Sequence, residues 1–267
     1  MRFDIIEQIS LAGSQQIANE DRLGVSSHLT WVIDGATDLG PAGLMGSQSG
    51  SAWFASNLGI ALASKSLAIS DDSITGIFEA VIGDVADMFV KERLRDPKGK
   101  WEIPSAAFLA LVIQAGELHA AWSADCVCLQ IAGENVSRIG EGRASKERII
   151  AERDIEADHS QTTLRREREL PDRAAITAES QSVKQVRTVQ LECEVGDEFV
   201  LMTDGFAALF DDYDMAYEDF VRHLRLAGLA ELGALLREIE AEDPTASRFP
   251  RIKKSDDATA IRLRLAE

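Results

Sequence analysis

Short apolar runs separated by turn residues dominate the first forty positions. Residues 3–9, 22–26 and 29–33 each have strand-like patterning, and the third run stops at Asp34-Gly35. An Asp-Gly step after an apolar run is typical of a strand that ends in a turn. The beginning of the chain therefore predicts three strands.

The next part of the chain has helical patterning. Residues 41–69 are rich in Ala, Ser and Leu, which favours a helix. A polar segment at 71–73 suits a helix N-terminus, and apolar residues then follow at positions 74, 77, 78, 81, 82, 85, 88 and 89. This spacing is the single buried stripe of an amphipathic helix. The two segments predict a pair of helices.

Strand-like patterning returns in the second half of the chain. Short apolar or alternating runs, separated by turn residues, occupy residues 105–114, 117–123, 125–131, 135–139, 189–193 and 198–203. The first four predict a meander of buried antiparallel strands. The last of the six ends at Asp204-Gly205, which again predicts a turn.

The remaining segments predict helices and a final strand. Residues 145–170 are dense in charges of alternating sign, which indicates an exposed helix and loop. Residues 215–241 are helical, and residues 258–265 alternate so that the inward positions are Ile261, Leu263 and Leu265. The complete order predicts an α+β fold in which helices cover largely antiparallel sheets.

Composition narrows the function classes. The 267 residues carry a net charge of −17, which disfavours binding to a phosphate backbone, so we expect no nucleic-acid partner. No apolar run approaches the roughly 18 residues that a membrane helix needs. Three cysteines are too few for a disulfide framework, which favours a reducing cytoplasm. Without repeats or linkers, we expect a single domain spanning 1–267.

Acidic residues stand at the ends of the predicted strands. Each of the following lies directly before or after an apolar run: Glu20, Asp21, Asp34, Asp125, Asp204 and Asp256. Carboxylates at one sheet edge repel each other and raise each other's pKa unless a cation neutralises them. Oxygen ligands select Mg²⁺ or Mn²⁺. One Asp-Gly step alone is also typical of a plain turn, so the metal hypothesis depends on the whole set.

The order of these motifs resembles the protein phosphatase 2C family of metal-dependent Ser/Thr protein phosphatases, as a divergent bacterial-like member. The matching motifs are Asn19-Glu20-Asp21, Ile33-Asp34-Gly35, Ser123-Ala124-Asp125, Thr203-Asp204-Gly205 and Ser255-Asp256-Asp257-Ala258-Thr259. The resemblance implies a central antiparallel β-sandwich flanked by helix pairs, in α-β-β-α layers. It also implies a flap beside the active site at 140–187, which includes Asp158-His159-Ser160.

The resemblance also implies roles for individual residues. Asp34 would bridge two metal ions, and Gly35 would offer its backbone carbonyl. Asp204 and Asp256 would complete one metal site. Glu20 would complete the other, with Asp21 ordering metal-bound water, and Asp125 would help to hold a third, weaker ion. The catalytic set is then Asp21, Asp34 and Asp125.

A phosphomonoester hydrolase follows from these roles. Water between two Mn²⁺ or Mg²⁺ ions would attack phosphorus in line, so no side-chain nucleophile is needed. The implied partners are a phosphorylated protein substrate and a cognate Ser/Thr kinase system that supplies it.

This chain departs from the family pattern at several positions. The third motif is Ala124-Asp125-Cys126 where Gly-Asp-Ser is usual, and the last is Asp256-Asp257 where Asp-Asn is common. Where the family has a phosphate-binding Arg, this chain has Gln16, and Ala36 stands where a His or Met is common. Gln has no charge with which to replace a guanidinium, so we expect weaker phosphate binding. We expect that Gln16→Arg lowers KM, unless Arg22 or Arg143 has taken over the role. A catalytically weak or inactive pseudophosphatase that binds a partner is the alternative function.

Overall fold

The computed structural model describes residues 1–67, 73–141, 157–170, 173–251 and 253–267. The strands are β1 (Arg2–Leu11), β2 (Arg22–Val25), β3 (Leu29–Gly35), β4 (Ser105–Gln114), β5 (Glu117–Ser123), β6 (Val127–Ala132), β7 (Asn135–Ile139), β8 (Ile176–Thr177), β9 (Arg187–Leu191), β10 (Glu198–Met202) and β11 (Ala258–Ala266). The helices are α1 (Gly50–Lys65), α2 (Ile74–Glu92), α3 (Ala157–Glu169), α4 (Asp204–Asp211) and α5 (Tyr217–Glu242).

The strands form two antiparallel sheets that pack face to face. One sheet has the order β1-β11-β10-β6-β7, and the other has the order β2-β3-β4-β5-β9, with the short β8 paired to β4. Alternate side chains from both sheets fill the space between them, among them Val32, Leu109, Leu201, Ile261 and Leu263. The inward face expected for the last strand is therefore confirmed.

Helices cover both outer faces of this sandwich. α1 and α2 pack on the sheet that contains β3 and β4, through a second apolar cluster that includes Phe54, Phe78 and Phe108. α4 and α5 pack on the other sheet, through a third cluster that includes Phe206 and Phe220. The four layers confirm the predicted sandwich flanked by helix pairs.

Helix α2 follows the predicted spacing, whereas α1 is shorter than predicted. The Ser73 side chain accepts a hydrogen bond from the Gly76 amide, which caps α2. α1 begins at Gly50 rather than near residue 41, because Gly43 and Gly46 have positive φ angles and interrupt a helix there. Part of the segment between the two helices, 68–72, lies outside the described residues.

The predicted turn at Asp204-Gly205 was wrong, because these residues begin α4. The apolar residues that follow, including Phe206 and Leu209, are fully buried against the sheet. Tertiary packing therefore continues the chain as a helix at a step that usually marks a turn.

Helix α5 has a kink at Gly228, which has φ 81° and ψ −177°. The Glu7 carboxylate accepts a hydrogen bond from the Leu229 amide at 2.8 Å. Glu7 thereby caps the second half of the helix from the neighbouring strand β1. None of the helices in the described ranges is both long and apolar enough to cross a lipid bilayer.

The expected flap is described in part. Its residues 142–156 and 171–172 lie outside the described ranges. Asp158, His159 and Ser160 are on the backbone of α3, and their side chains are also outside the description. The described part of α3 contacts the 3₁₀ helix Lys100–Glu102.

Candidate active site

Strand ends place the predicted acidic residues at one end of the sandwich. Asp34 lies at the end of β3, opposite Ala107 of β4. Asp204 begins α4 directly after β10, and Asp256 precedes β11, the neighbour of β10. Asp125 follows Ala124, whose positive φ makes the tight turn between β5 and β6. The topology thus brings distant parts of the chain to one edge, as the sequence predicted.

A cleft of about 760 Å³ opens at this edge. The predicted site residues in its lining are Asp34, Gly35, Asp125, Asp204 and Asp256. One wall comes from α3 and the segment after it, and the opposite wall comes from Tyr213, Glu240 and the loop before β11. Glu20 and Asp21 are not in the lining.

The Asp34 carboxyl has a pKa well above its ordinary value. Burial is the largest cause. Negative charges raise it further, in the order Asp204, Asp21, Asp125 and Asp256. Asp34 is therefore within electrostatic range of four other predicted ligands, which is the mutual repulsion that the sequence analysis expected.

Asp21 is buried behind Asp34, with 3% of its surface exposed. Thr203 Oγ1 donates a hydrogen bond to Asp21 Oδ2 at 2.8 Å. The other oxygen, Oδ1, has no hydrogen-bond partner among the described residues. Burial raises the pKa of Asp21 to about 8. The nearby Thr203 and Thr259 side chains oppose this rise, and the charges of Asp204 and Asp257 add to it.

Glu20 is held by serine hydroxyls. Ser49 Oγ donates to Glu20 Oε1 at 2.5 Å, and Ser51 Oγ donates to the same oxygen at 2.6 Å. Ser49 is also the N-cap of α1, since its side chain accepts from the Ala52 amide. The start of α1 therefore fixes the position of Glu20 beside the cleft.

Asp257 organises the loops that carry these ligands. Its carboxylate accepts hydrogen bonds from the Gly13 amide at 2.8 Å and from the Glu20 amide at 2.7 Å. Gly205 has no side chain because a Cβ there would overlap the Asp257 carbonyl oxygen. The start of α4 can therefore approach the 256–257 segment closely, and Gly205 serves packing here rather than a turn.

A basic side chain already contacts the acidic cluster. Lys253 Nζ lies 2.9 Å from Asp256 Oδ1 and 3.2 Å from Thr37 Oγ1. The charges of Asp256, Asp34 and Asp204 raise the pKa of Lys253, against the lowering caused by burial. Sequence reasoning missed Lys253, because a Lys three residues before an Asp carries no motif signal.

The donor set fits a hard divalent cation, although its side chains do not converge on one point. Within the described ranges, no three His, Cys, Asp or Glu side chains are grouped closely enough to hold a metal ion. Internal partners hold two of the ligands, since Lys253 bonds to Asp256 and serine hydroxyls bond to Glu20. A bound cation would nevertheless give the buried Asp21 Oδ1 a partner. It would also neutralise the repulsion between the carboxylates around Asp34.

Basic residues that the sequence analysis considered for phosphate binding lie elsewhere. Gln16 is exposed and outside the residues that line the described cleft. The Arg22 guanidinium donates to Ser56 and to the carbonyls of Asn19 and Asp21. Arg143 is outside the described residues. The basic residues that do line the cleft, and that sequence reasoning missed, are Arg168, Arg173, Arg251 and Lys253.

Comparisons with known proteins identify the family of the chain. A family model described as "Protein phosphatase 2C" matches residues 13–237. A search of curated proteins gave no match.

Several solved structures have a similar fold at low sequence identity. The Mycobacterium tuberculosis serine/threonine phosphatase PstP/Ppp is similar, with 16% identity over 100% of both chains and a TM-score of 0.60. The PstP catalytic domain "in complex with 2 Manganese ions" matches with 16% identity, over 100% of this chain and 98% of that one, at a TM-score of 0.62. PppA, "a key regulatory component of T6SS in Pseudomonas aeruginosa", matches with 16% identity over 99% and 98% of the chains, at 0.58. At such identities these matches show the fold.

Proposed function

Because the chain belongs to the protein phosphatase 2C family, it is a protein serine/threonine phosphatase, and we propose that it hydrolyses its phosphoprotein substrate with two bound Mn²⁺ or Mg²⁺ ions. The observation that carries this proposal is the cluster of buried and half-buried carboxylates at one edge of the sandwich. The charges of four aspartates, at 21, 125, 204 and 256, all act on Asp34 and raise its pKa. Such a cluster is unfavourable without a counter-charge.

Each ligand has a proposed place in this arrangement. Asp34 would be shared by both ions, with Asp204 and Asp256 completing one site, and Glu20 with the Gly35 carbonyl completing the other. Asp21 would order water bound to the metal ions, and Asp125 would help to hold a third, weaker ion. When bound, the ions supply an acidified water as nucleophile and neutralise charge on the phosphoryl oxygens.

The chain's own residues support hydrolysis without a covalent intermediate. Cys126 lies beside the site, but it is fully buried. Burial and the charges of Asp34 and Asp125 hold its pKa well above the ordinary value. It therefore stays a thiol at neutral pH and is a poor nucleophile. Cys126 and Cys128 are both fully buried in the apolar core between the two sheets, where they pack as small apolar residues.

The serine hydroxyls on Glu20 and the ammonium on Asp256 have a defined role in the proposal. They hold these carboxylates in position before ions bind, and both contacts are replaceable by a cation. A phosphorylated protein segment would enter through the open cleft. We further propose a cytoplasmic signalling role opposite a Ser/Thr kinase.

Phosphate release from a phosphoserine peptide tests the proposal. We expect turnover at millimolar Mn²⁺ and none in EDTA. Turnover should return when Mn²⁺ is added back. Asp204→Asn should remove most activity, whereas Asp84→Asn, on the exposed side of α2, should not. Turnover that survives EDTA would contradict the metal mechanism. A folded wild type without turnover in either ion would favour the pseudophosphatase alternative.

A further inference from the structure

Four basic residues line the cleft, and they differ in their partners. Arg251 Nη1 bonds to Asp243 at 2.8 Å, and Lys253 bonds to Asp256 at 2.9 Å. Arg168 is half-buried in the wall formed by α3. Across the described residues, no carboxylate lies within ion-pair distance of the Arg168 guanidinium. An Arg in a cleft without a paired carboxylate is available to an anionic ligand.

The side of α3 that Arg168 occupies is fixed by neighbouring contacts. Arg165 Nη2 donates to the Leu39 carbonyl at 2.9 Å, and its guanidinium stacks on Trp101 with 4.4 Å to the ring centroid. Leu164 and Arg168, four residues apart on one helix face, both line the cleft. The helix is thus anchored to the loop after β3, and Arg168 is presented to the site.

The acidic residues whose charges act most strongly on Arg168 are already hydrogen-bonded. Its strongest favourable charges are Asp38 and Glu20. The Asp38 carboxylate accepts from the Gly50 amide at 2.6 Å and from the Ser51 amide at 3.1 Å, at the start of α1. Glu20 accepts from the hydroxyls described above. These acids orient Arg168 electrostatically without occupying its donors.

A second guanidinium supports the first. Arg173 Nη1 donates to the Arg168 carbonyl at 3.2 Å and to the Lys100 carbonyl at 3.4 Å. Burial lowers the pKa of Arg168, and burial together with the Arg168 charge lowers that of Arg173 to about 10. Both side chains remain protonated at neutral pH, so two positive charges face the cleft. A phosphate dianion relieves the repulsion between them.

We propose that Arg168, positioned beside Arg173 on the α3 wall, binds the phosphate monoester of the substrate. It would take the role of the family's phosphate-binding arginine, whose position is occupied by Gln16 in this chain. This inference rests on the proposed function, because it assigns the phosphate ligand of the same cleft. A guanidinium presents paired donors that match two phosphate oxygens. Arg173 is a positioning residue that holds the end of α3 and adds positive charge.

Steady-state kinetics at saturating Mn²⁺ test the assignment with p-nitrophenyl phosphate and a phosphoserine peptide. Arg168→Gln should raise KM for both by about tenfold, equivalent to about 1.4 kcal/mol of binding, with a smaller effect on kcat. Arg168→Lys should recover part of the loss because it keeps the charge. Arg166→Gln is the matched control, since Arg166 is exposed on the same helix and outside the cleft lining.

Calorimetry with inorganic phosphate separates this inference from the proposed function. We expect phosphate to bind the Mn²⁺-loaded wild type and Arg166→Gln equally, and Arg168→Gln about tenfold more weakly. Equal KM and equal phosphate affinity in Arg168→Gln and Arg166→Gln would overturn the assignment. A wild type that binds phosphate through Arg168 but hydrolyses nothing would refute the proposed function alone. If Arg168→Gln does not fold, Arg168→Lys decides by the same comparison.

Discussion

Replacing Asp21 with Asn should stabilise the metal-free protein. Asp21 is buried, one of its oxygens accepts from Thr203, and the other has no partner among the described residues. Asn keeps an acceptor for Thr203 and removes the charge that faces Asp204 and Asp257. We therefore expect a higher free energy of unfolding when no cation is present. Phosphatase activity should fall, because the proposed metal-dependent mechanism uses the Asp21 charge.

The size of the gain follows from the pKa. Burial raises the Asp21 pKa from 3.8 to about 8, so the folded protein binds this proton more tightly than the unfolded chain. Stability contributed by protonated Asp21 is complete below about pH 4 and is lost as pH rises towards 8, by about 1.36 kcal/mol per pH unit. The loss reaches about 4 kcal/mol at pH 7 and about 2 kcal/mol at pH 5. Structural relaxation around the charge makes both losses smaller. We therefore expect Asp21→Asn to raise the free energy of unfolding by about 2–4 kcal/mol at pH 7.

Urea unfolding, followed by the fluorescence of the four tryptophans, measures this gain. In EDTA, Asp21→Asn should exceed the wild type by more at pH 7 than at pH 5. Asp84→Asn, an exposed carboxylate on α2, should change little at either pH. Added Mn²⁺ should stabilise the wild type more than Asp21→Asn. An Asp21→Asn protein that is no more stable than the wild type in EDTA at pH 7 would refute the reasoning.

Two further substitutions probe the turn at Asp125 and the kink of α5. Asp125→Ala should lower kcat while Mn²⁺ still raises the melting temperature, because the other ligands remain; loss of the Mn²⁺ effect would place Asp125 in the main sites. Gly228→Ala should lower the free energy of unfolding by about 1–3 kcal/mol, because its backbone region is almost exclusive to Gly and a Cβ would lie 2.6 Å from Glu7 Oε2. Gly83→Ala, in open space on α2, should instead stabilise by about 0.5–1 kcal/mol in the same urea titration.

Local patterning was enough to predict most of the fold. The stripe along α2 predicts its buried face because its apolar positions all join one apolar cluster with α1 and the sheet, and Ser73 caps the helix where the polar segment indicated. α4 could not be predicted in this way. Its Asp204-Gly205 start is typical of a turn, and only the close approach of Asp257 explains why Gly is needed inside a helix. Local propensity carries no information about that contact.

In the candidate active site, too, some residues could be predicted from the sequence and others could not. Asp34 and Asp204 were predictable because strand ends in one sandwich meet at a common edge. The places of Arg168 and Lys253 were not, since a charged residue in a polar segment is usually a solvated one. Their contact with the cleft depends on how α3 and the loop before β11 pack. The exposed position of Gln16 likewise depends on the loop between β1 and β2 rather than on motif spacing.

Anomalous diffraction from crystals soaked in Mn²⁺ tests the central claim most directly, because it locates the ions without relying on activity. We expect manganese peaks within ligand distance of the Asp34 carboxylate, with Asp204 and Asp256 around one of them and the Lys253 ammonium displaced from Asp256. A map from enzymatically active protein with no manganese peak at Asp34, and with Lys253 still bonded to Asp256, would contradict it.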